Sequence, residues 1–304
     1  MSSIMLVRKL TPTIGAEVTN FNITTATSND IQQLKQLLLE SHVLFLPNQP
    51  ASMSVEDHIN FGRNFGVLQG HPNLSKAVNE SYPEIFELRA SKGGVANEWH
   101  TDLTFQKNPA KMSILRMLKC PTVGGDTMWC NLEAAFQALS KPMQDLLEKL
   151  TALHDAHPHN KPEVTAIHPV VRVHPQTGRK SLYVNEHFTR RIVELTQPES
   201  KTILEWLTKH IADPRFNIRY QWTPNTIAIW DNTCTQHCVL NNFDGEERHI
   251  QRVTIAGDVV VGSNKNLPIY KPSLSGIRAG AQSRHDRQLF LHYKRESQAN
   301  NSKL

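Results

Sequence analysis

An imidazole and a carboxylate lie two residues apart at His100 and Asp102, inside the β-favouring run Trp99–Phe105. In an extended strand, side chains at positions i and i+2 face the same way, so both groups could bind one metal ion. Two ligands hold a metal ion weakly, and the best candidate for a third is His237, with 134 residues between it and Asp102. The fold must therefore bring two distant segments of the chain together at one point.

Two imidazoles and one carboxylate on one side of a metal, with the opposite positions open, form the facial triad of non-haem Fe(II) oxygenases. A His-x-Asp pair alone is more often a surface pair or a buried, hydrogen-bonded histidine. Two further motifs favour the metal site over these alternatives. Arg248 and Arg252 follow His237 by 11 and 15 residues. The stretch 124–129, Gly-Gly-Asp-Thr-Met-Trp, is a glycine turn that leads into a short apolar strand.

With these motifs together, the chain resembles the taurine dioxygenase family of Fe(II)- and 2-oxoglutarate-dependent oxygenases, which includes alkylsulfatases and phenoxyacetate dioxygenases. The resemblance runs from about residue 5 to about residue 258. It implies an α+β fold, a double-stranded β-helix (jelly-roll) core with helical insertions. It also implies that His100, Asp102 and His237 are the catalytic iron ligands. The co-substrates would be 2-oxoglutarate and dioxygen, and the products would include succinate and CO2.

The far carboxylate of 2-oxoglutarate needs a fixed cation, and arginine offers a bidentate fork that lysine cannot. By its offset from His237, Arg248 matches the family's co-substrate arginine, and Thr127 matches the hydroxyl that assists it. Arg252 matches the position that binds the anionic group of the substrate, and His71 matches a second residue for that group. On a strand, Arg248 and Arg252 share a face, so both could enter one cavity. Without the metal motif, either arginine would more often be a surface charge.

Around the substrate position the sequence departs from the family pattern. Leu74 and Ala96 stand where the family has a tyrosine and an asparagine, although Asn97 is adjacent. Thr233 replaces an arginine that commonly follows the Trp-Asp-Asn motif. The predicted pocket keeps its anion-binding arginine but is more apolar, which disfavours taurine and favours an alkylsulfonate or an alkyl sulfate. Hydroxylation beside the sulfur group would release an aldehyde with sulfite or sulfate.

Several alternatives remain open at this point. The same chemistry could act on a carboxylate such as a phenoxyacetate. A zinc hydrolase could use the same three ligands with a bound water, and a non-catalytic jelly-roll binding protein could keep the fold alone. The predicted co-substrate residues argue against both, because neither needs a second carboxylate clamp. Cys234 and Cys238 flank His237, so a Cys/His zinc site is conceivable, but it leaves the His-x-Asp pair unexplained.

The 304 residues, 39% of them hydrophobic, can bury a large core, and we interpret residues 1–258 as one catalytic domain. Much of the net charge of +5 lies in residues 259–304, interpreted as a partly ordered basic extension. No nucleic-acid-binding signature accompanies it, so we expect a solvated tail and a small anionic substrate as partner. A homo-oligomer, dimer or tetramer, is compatible with the sequence.

No apolar run reaches the roughly 18 residues of a membrane helix, and no secretory signal is visible, so we expect a cytoplasmic protein without a membrane partner. The four cysteines lack paired spacing and are predicted to be reduced thiols.

Apolar spacing, capping residues and turn residues predict the secondary structure. The predicted helices span 28–41, 54–66, 142–150 and 200–211. The predicted strands span 5–10, 15–18, 43–46, 84–90, 111–120, 127–130, 215–222, 226–230 and 249–257. A hairpin is predicted for 167–173 and 181–184 around a turn at 176–178, and a loop for 70–74. The His- and Pro-rich segment 154–162 is predicted to be a mobile loop or lid rather than a second metal site.

Overall fold

The computed structural model describes residues 5–70, 81–91, 96–243, 245–263, 289, 291–296 and 298. Within these residues the strands, numbered along the chain, are β1 (Leu6–Lys9), β2 (Ala16–Thr19), β3 (Val43–Leu46), β4 (Leu68–Gln69), β5 (Ile85–Ala90), β6 (Met112–Lys119), β7 (Thr127–Asn131), β8 (Thr151–Ala156), β9 (Lys161–Pro169), β10 (Val171–Val173), β11 (Lys180–Leu182), β12 (Thr189–Ile192), β13 (Asn217–Tyr220), β14 (Ile227–Asp231), β15 (Thr235–Val239) and β16 (Arg248–Ile255). The α-helices are α1 (Ser28–Ser41), α2 (Val55–Arg63), α3 (Leu132–Gln137), α4 (Lys141–Leu147) and α5 (Gln197–Ile211). Short 3-10 helices span Ile23–Thr25, His157–His159 and Pro214–Phe216.

Two mainly antiparallel sheets enclose the centre of the protein. The large sheet has eight strands in the order β1-β2-β3-β14-β6-β16-β4, with β5 also paired to β16. Only β2 and β3 run parallel among the pairs described for this sheet. The small sheet has the order β13-β7-β15, while β12-β8-β9 and the hairpin β10-β11 form separate sheets. The predicted jelly-roll core with helical insertions is thereby confirmed.

Strand β14 shows why the sequences of the strands in the middle of the large sheet are mostly continuous apolar runs. Ile227 and Ile229 pack into a core that includes Leu34 of α1 and Ile59 of α2. The alternate residue Trp230 packs instead into a second core that includes residues of the small sheet. Since successive side chains of a strand point to opposite faces, a strand covered by helices on one side and a sheet on the other carries apolar side chains on both faces.

Local capping sets the starts of the first two helices. The Thr27 hydroxyl accepts a hydrogen bond from the N–H of Asp30 (3.3 Å), and the Asp30 carboxylate accepts one from the N–H of Thr27 (2.9 Å). Ser54 and Asp57 form the same reciprocal capping box at the start of α2. Both predicted helices are confirmed, although α2 ends at Arg63, before the predicted glycine stop.

The prediction of a mobile loop at 154–162 was wrong. Residues 154–156 belong to β8, residues 157–159 form a 3-10 turn, and the chain returns as β9. β8 pairs with β9 on one side and with β12 on the other, so its backbone hydrogen bonds come from segments that are distant in sequence. His154 is fully buried, as a central strand position requires.

Other differences between the predicted and the observed secondary structure also arise from pairing between distant segments. The run 99–105 is not a strand but a single bridge followed by a turn. Strand β15 and helix α3 were not predicted. The hairpin is formed by β10 and β11 alone, because residues 167–169 extend β9 and pair with β8. Of the predicted loop 70–74, positions 71–74 lie outside the described residues.

Part of residues 259–304, the predicted basic extension, contacts the rest of the chain. Residues 291–296 are helical. Leu289 packs against Leu153 and Val193, and the hydroxyl of Thr165 shares a hydrogen bond of 2.7 Å with His292 Nδ1. Among the residues described, none of the helices has the length and apolar content that crossing a membrane requires.

Candidate active site

A cavity of about 410 Å³ lies between the large and small sheets. The large sheet lines it with residues of β5, β6, β14 and β16, and the small sheet lines it with residues of β7 and β15. Most of the lining is apolar, including Phe86, Leu115 and Ile250. The charged and titratable groups of the wall are therefore the natural candidates for chemistry.

His100, Asp102 and His237 converge on this wall. One ligand atom from each residue lies within 4.8 Å of those of the other two, and all three residues are buried. The N–H of His100 donates to the carbonyl oxygen of His237 (3.1 Å), and the reverse hydrogen bond is 2.9 Å long. The centroids of the two imidazole rings are 4.2 Å apart. Backbone pairing thus brings the two segments, which are distant in sequence, into contact.

The local route to this convergence differs from the predicted strand. After the bridge at His100, Asp102 begins a turn in which Leu103 has a φ of 60°. This left-handed conformation is strained for a residue other than glycine, at a cost on the order of 1–3 kcal/mol. Leu103 is nevertheless buried in a cluster with Phe105 and Phe188, which holds the turn. A packed turn, and not strand alternation, directs the Asp102 carboxylate toward the imidazoles.

Both histidines are in the neutral form that binds metals, and a hydrogen bond fixes the tautomer of His100. His100 Nδ1 lies 2.8 Å from the carbonyl oxygen of Glu98. Since a carbonyl only accepts, Nδ1 carries the proton and Nε2 keeps a free lone pair. Burial lowers the pKa of His100 to about 4 and the pKa of His237 well below its ordinary value. Both rings are therefore neutral near pH 7.

The Asp102 carboxylate is ionised and held by three neighbours. Burial opposes its charge, but the positive charge of Arg252 and the hydrogen bond from Ser113 favour it, and the pKa of Asp102 is lowered. The hydroxyl of Ser113 on β6 donates to Oδ2 (2.9 Å), and Nη1 of Arg252 lies 3.0 and 3.1 Å from the two carboxylate oxygens. The amide of Asn232 approaches Oδ2 at 3.5 Å.

Arg248 is a buried cation at the other end of the site. Its Nε donates to the carbonyl oxygen of Gly125 (3.1 Å), and its Nη2 donates to the hydroxyl of Thr127 (3.3 Å). Burial lowers the pKa of Arg248 to about 10, which still leaves the side chain charged near pH 7. In the described part of the chain, no acidic side chain forms an ion pair with it. A buried charge without an acidic partner is costly and suits the binding of an anion.

Arg252 lines the same cavity, two residues beyond Ile250 on β16. Besides its ion pair with Asp102, its guanidinium lies over the ring of Phe86, 5.0 Å from the centroid. The predicted common face for Arg248 and Arg252 is therefore observed, even though a register irregularity follows His249. The other predicted substrate residue, His71, lies outside the described residues, as does Leu74. Ala96 lines the cavity.

Several residues that complete the site were missed by sequence reasoning. Ser113 and Asn232 contact the Asp102 carboxylate, and Trp222 donates from its indole N–H to the Thr127 hydroxyl (3.0 Å). His159 lines the cavity, so the His-rich segment reaches the site, although within a strand-turn-strand unit. The Trp-Asp-Asn sequence before His237 was the only local signal for any of these contacts.

A second group of ligand-type side chains lies behind the turn between β14 and β15. It comprises His42, Glu133, His174, Asp231 and Cys234. Arg179 Nε lies 2.8 Å from the Glu133 carboxylate, and His174 Nε2 lies 2.9 Å from the Asp231 carboxylate. Both acids therefore already face a donor, and we interpret the group as a buried polar network that holds the turn. Among the described residues, the metal-ligand group that contains His237 includes no cysteine, so the alternative Cys/His zinc site is not formed.

Two neutral imidazoles and an ionised aspartate share one jelly-roll cavity with Arg248, which has no acidic partner within the described ranges. This arrangement suits a 2-oxoglutarate-dependent dioxygenase. The chain belongs to the family described as taurine catabolism dioxygenase TauD, TfdA family, which matches residues 6–254. The predicted resemblance is confirmed, and the protein is an enzyme that uses 2-oxoglutarate and dioxygen.

Named relatives cover most of the chain. An alkylsulfatase of Acinetobacter baylyi is 35% identical over 84% of this chain and 86% of its own length. An alpha-ketoglutarate-dependent sulfate ester dioxygenase of Pseudomonas putida is 31% identical over 84% of this chain and 90% of its own length. The crystal structure of a taurine dioxygenase from Burkholderia xenovorans, 33% identical, matches with a TM-score of 0.76 over 85% of this chain and 93% of that chain.

Proposed function

We propose that this enzyme uses Fe(II) to hydroxylate an alkyl sulfate or an alkylsulfonate at the carbon next to the sulfur group. We infer the substrate class from the position of Arg252, a cation in an apolar cavity beside the His-Asp-His group. A fixed cation there selects an anion, and the apolar wall selects an alkyl chain. The activities for which the Acinetobacter and Pseudomonas relatives are named support the same substrate class.

His100, Asp102 and His237 would hold the iron. Two imidazoles and one carboxylate suit Fe(II), and Nδ1 of His237 is a buried nitrogen without a hydrogen-bond partner among the described residues. Bound iron supplies the activation of dioxygen, a reaction that protein side chains cannot perform by themselves. Ser113 contributes by holding one oxygen of Asp102, which keeps the carboxylate oriented.

Arg248 and Thr127 would bind the far carboxylate of 2-oxoglutarate. The guanidinium offers a planar pair of donors, and Gly125 fixes its orientation by accepting from Nε. Burial makes this interaction stronger than a surface ion pair, because few water molecules compete. The reacting end of the co-substrate would then point toward the His-Asp-His group along the same wall.

Arg252 would bind the sulfate or sulfonate group of the substrate. The surrounding Phe86, Leu88 and Phe188 would bury the alkyl chain, which contributes about 0.8 kcal/mol per methylene group. Each added methylene should therefore lower the Michaelis constant about fourfold until the cavity is filled. Taurine carries an ammonium group, which gains nothing from an apolar wall.

The proposed reaction balances with the known co-substrates. One oxygen atom of O2 enters succinate as 2-oxoglutarate loses CO2, and the other becomes a hydroxyl group on the substrate carbon in place of hydrogen. That hydroxyl then loses its proton to form a carbonyl group. The carbon–oxygen bond of a sulfate ester, or the carbon–sulfur bond of a sulfonate, breaks with its electron pair, which gives an aldehyde with sulfate or sulfite.

The direct test measures succinate together with sulfite or sulfate for taurine, a series of alkylsulfonates, a series of alkyl sulfates, and phenoxyacetate. Arg252→Ala should abolish or strongly reduce release from the alkyl substrates by raising their Michaelis constants. Arg89→Ala is the matched control, because Arg89 lies on the neighbouring strand β5 with 65% of its side chain exposed. Release that survives in Arg252→Ala, or turnover of phenoxyacetate alone, would overturn the organosulfur assignment.

The metal assignment has a separate spectroscopic test. An anaerobic sample with Fe(II) and 2-oxoglutarate should develop a weak visible charge-transfer band, which zinc cannot produce. Equal turnover with zinc alone would contradict the iron proposal, whatever the substrate.

We also propose that residues 1–258 act as one catalytic domain, with 259–304 as a basic extension, in the cytoplasm. The four cysteines are free thiols, which supports a reducing compartment.

A further inference from the structure

We propose that Trp222 is a positioning residue that fixes the Thr127 hydroxyl as a hydrogen-bond donor toward 2-oxoglutarate. This inference rests on the proposed function of Arg248 and Thr127. Trp222 follows β13 on the small sheet, lines the same cavity and is 5% exposed. Its indole N–H donates to Thr127 Oγ1 at 3.0 Å across 95 residues of sequence.

A hydroxyl group has one hydrogen-bond donor and two acceptor lone pairs. Thr127 Oγ1 receives the indole N–H of Trp222 and the Nη2 of Arg248 (3.3 Å), and both groups can only donate. Both lone pairs are therefore occupied, and the hydroxyl proton must point elsewhere. In the described part of the chain, no acceptor takes that proton. Because Thr127 lines the cavity, the proton is available to a carboxylate oxygen bound beside Arg248.

The indole is itself held rigidly. Trp222 packs edge-on against Trp129, with ring centroids 6.0 Å apart, and against Tyr220, with centroids 5.6 Å apart. Its carbonyl oxygen accepts from the thiol of Cys120 (3.5 Å). A rigid donor removes rotational freedom from the hydroxyl before the co-substrate arrives, and this preorganisation favours binding.

The test is a double-mutant cycle of Trp222→Phe and Thr127→Val in the Fe(II) enzyme. The dissociation constant of 2-oxoglutarate is measured by anaerobic calorimetry, alongside steady-state kinetics. Trp222→Phe should weaken 2-oxoglutarate binding about 2- to 13-fold, the range for one net hydrogen bond, and leave kcat nearly unchanged. In the Thr127→Val background the same change should have no further effect, because there is no hydroxyl to orient.

Two variants serve as controls, one for the hydroxyl group and one for the tryptophan-to-phenylalanine substitution itself. Thr127→Ser keeps the hydroxyl, so the effect of Trp222→Phe should persist in that background. Trp206→Phe makes the same substitution on α5, where the tryptophan is 42% exposed, and should bind 2-oxoglutarate as the wild type does. An equal effect of Trp222→Phe with and without the hydroxyl would overturn the positioning role. So would a change confined to the Michaelis constant of the organic substrate.

A structural readout does not depend on activity or on the stability of Trp222→Phe. The chain has five tryptophans, so the indole N–H resonances can be assigned by triple-resonance NMR. The Trp222 resonance should move upfield and exchange faster in Thr127→Val but not in Thr127→Ser. An unchanged resonance in Thr127→Val would show that the hydrogen bond does not form. If Arg248→Ala weakens 2-oxoglutarate binding and Trp222→Phe does not, only the positioning role is overturned. If Arg248→Ala leaves binding intact, the proposed function itself fails.

Discussion

Replacement of Arg248 by alanine should weaken the affinity for 2-oxoglutarate and leave the affinity for the organic substrate unchanged. Arg248 is 5% exposed, and its guanidinium is fixed by Gly125 and Thr127 at one end of the cavity. No other cation stands between this end and the His-Asp-His group among the residues that line the described cavity, apart from Arg252. Alanine therefore removes the cation that we propose binds the far carboxylate of the co-substrate.

The magnitude follows from the kind of interaction that is lost. A hydrogen bond to a charged group contributes about 1.5–3 kcal/mol. The loss corresponds to an increase of about 10- to 150-fold in the Michaelis constant for 2-oxoglutarate. Arg248→Lys keeps the charge but loses the planar fork, so its effect should be smaller than that of alanine.

The assay is succinate release at varied 2-oxoglutarate and saturating organic substrate, and then the reverse. Arg248→Met serves as the fold control. Because burial lowers the pKa of Arg248 to about 10, the charged form is less stable in the folded protein than in the unfolded chain. Removal of that charge should leave the melting temperature unchanged or raise it, as is common for buried cations replaced by apolar residues. The alanine defect should therefore occur in a folded protein.

Two results would refute this reasoning. An increase in the Michaelis constant of the organic substrate alone would mean that Arg248 and Arg252 have each other's roles. A melting temperature of Arg248→Met far below that of the wild type would mean that the arginine mainly supports the fold.

Two further predictions address the metal group and the local determinants of the fold. His100→Ala should abolish turnover, and Fe(II) should no longer raise its melting temperature, because stabilisation by a ligand requires binding to the native state; full activity in this variant would remove His100 from the site. Thr27→Ala should lower the melting temperature by about 2–4 °C through loss of a capping contribution of about 1 kcal/mol, with activity retained, and an unchanged melting temperature would contradict the role of the capping box.

The sequence predicted those features that depend on neighbouring residues. The helices predicted at 28–41 and 54–66 were confirmed, and each begins with hydrogen bonds across only three residues, Thr27 with Asp30 and Ser54 with Asp57. The strand at 43–46 was also predictable from local sequence, because a strand that is covered on both faces appears as a continuous apolar run. The chemical types of His100, Asp102 and His237, together with the offset of Arg248, were sufficient to indicate the family.

The features that the sequence did not predict depend on contacts between distant segments. The segment 154–162 is polar and rich in proline, yet it forms β8 and β9 because each strand supplies the other's backbone hydrogen bonds. Strand β15 likewise depends on pairing with β7. Local propensity carries no information about such partners, so β-structure is the part of a fold that tertiary contacts most often decide.

The sequence by itself determined which groups can act in this protein, and the tertiary structure determined how they are arranged. His100 and Asp102 were expected on one strand, but a buried turn with Leu103 at a φ of 60° aims the carboxylate instead. The pairing of Arg252 with Asp102 joins positions 150 residues apart, and Trp222 reaches Thr127 across 95 residues. Hydrogen bonds of this kind form only after two sheets have packed around the cavity, so no local pattern of residues can encode them.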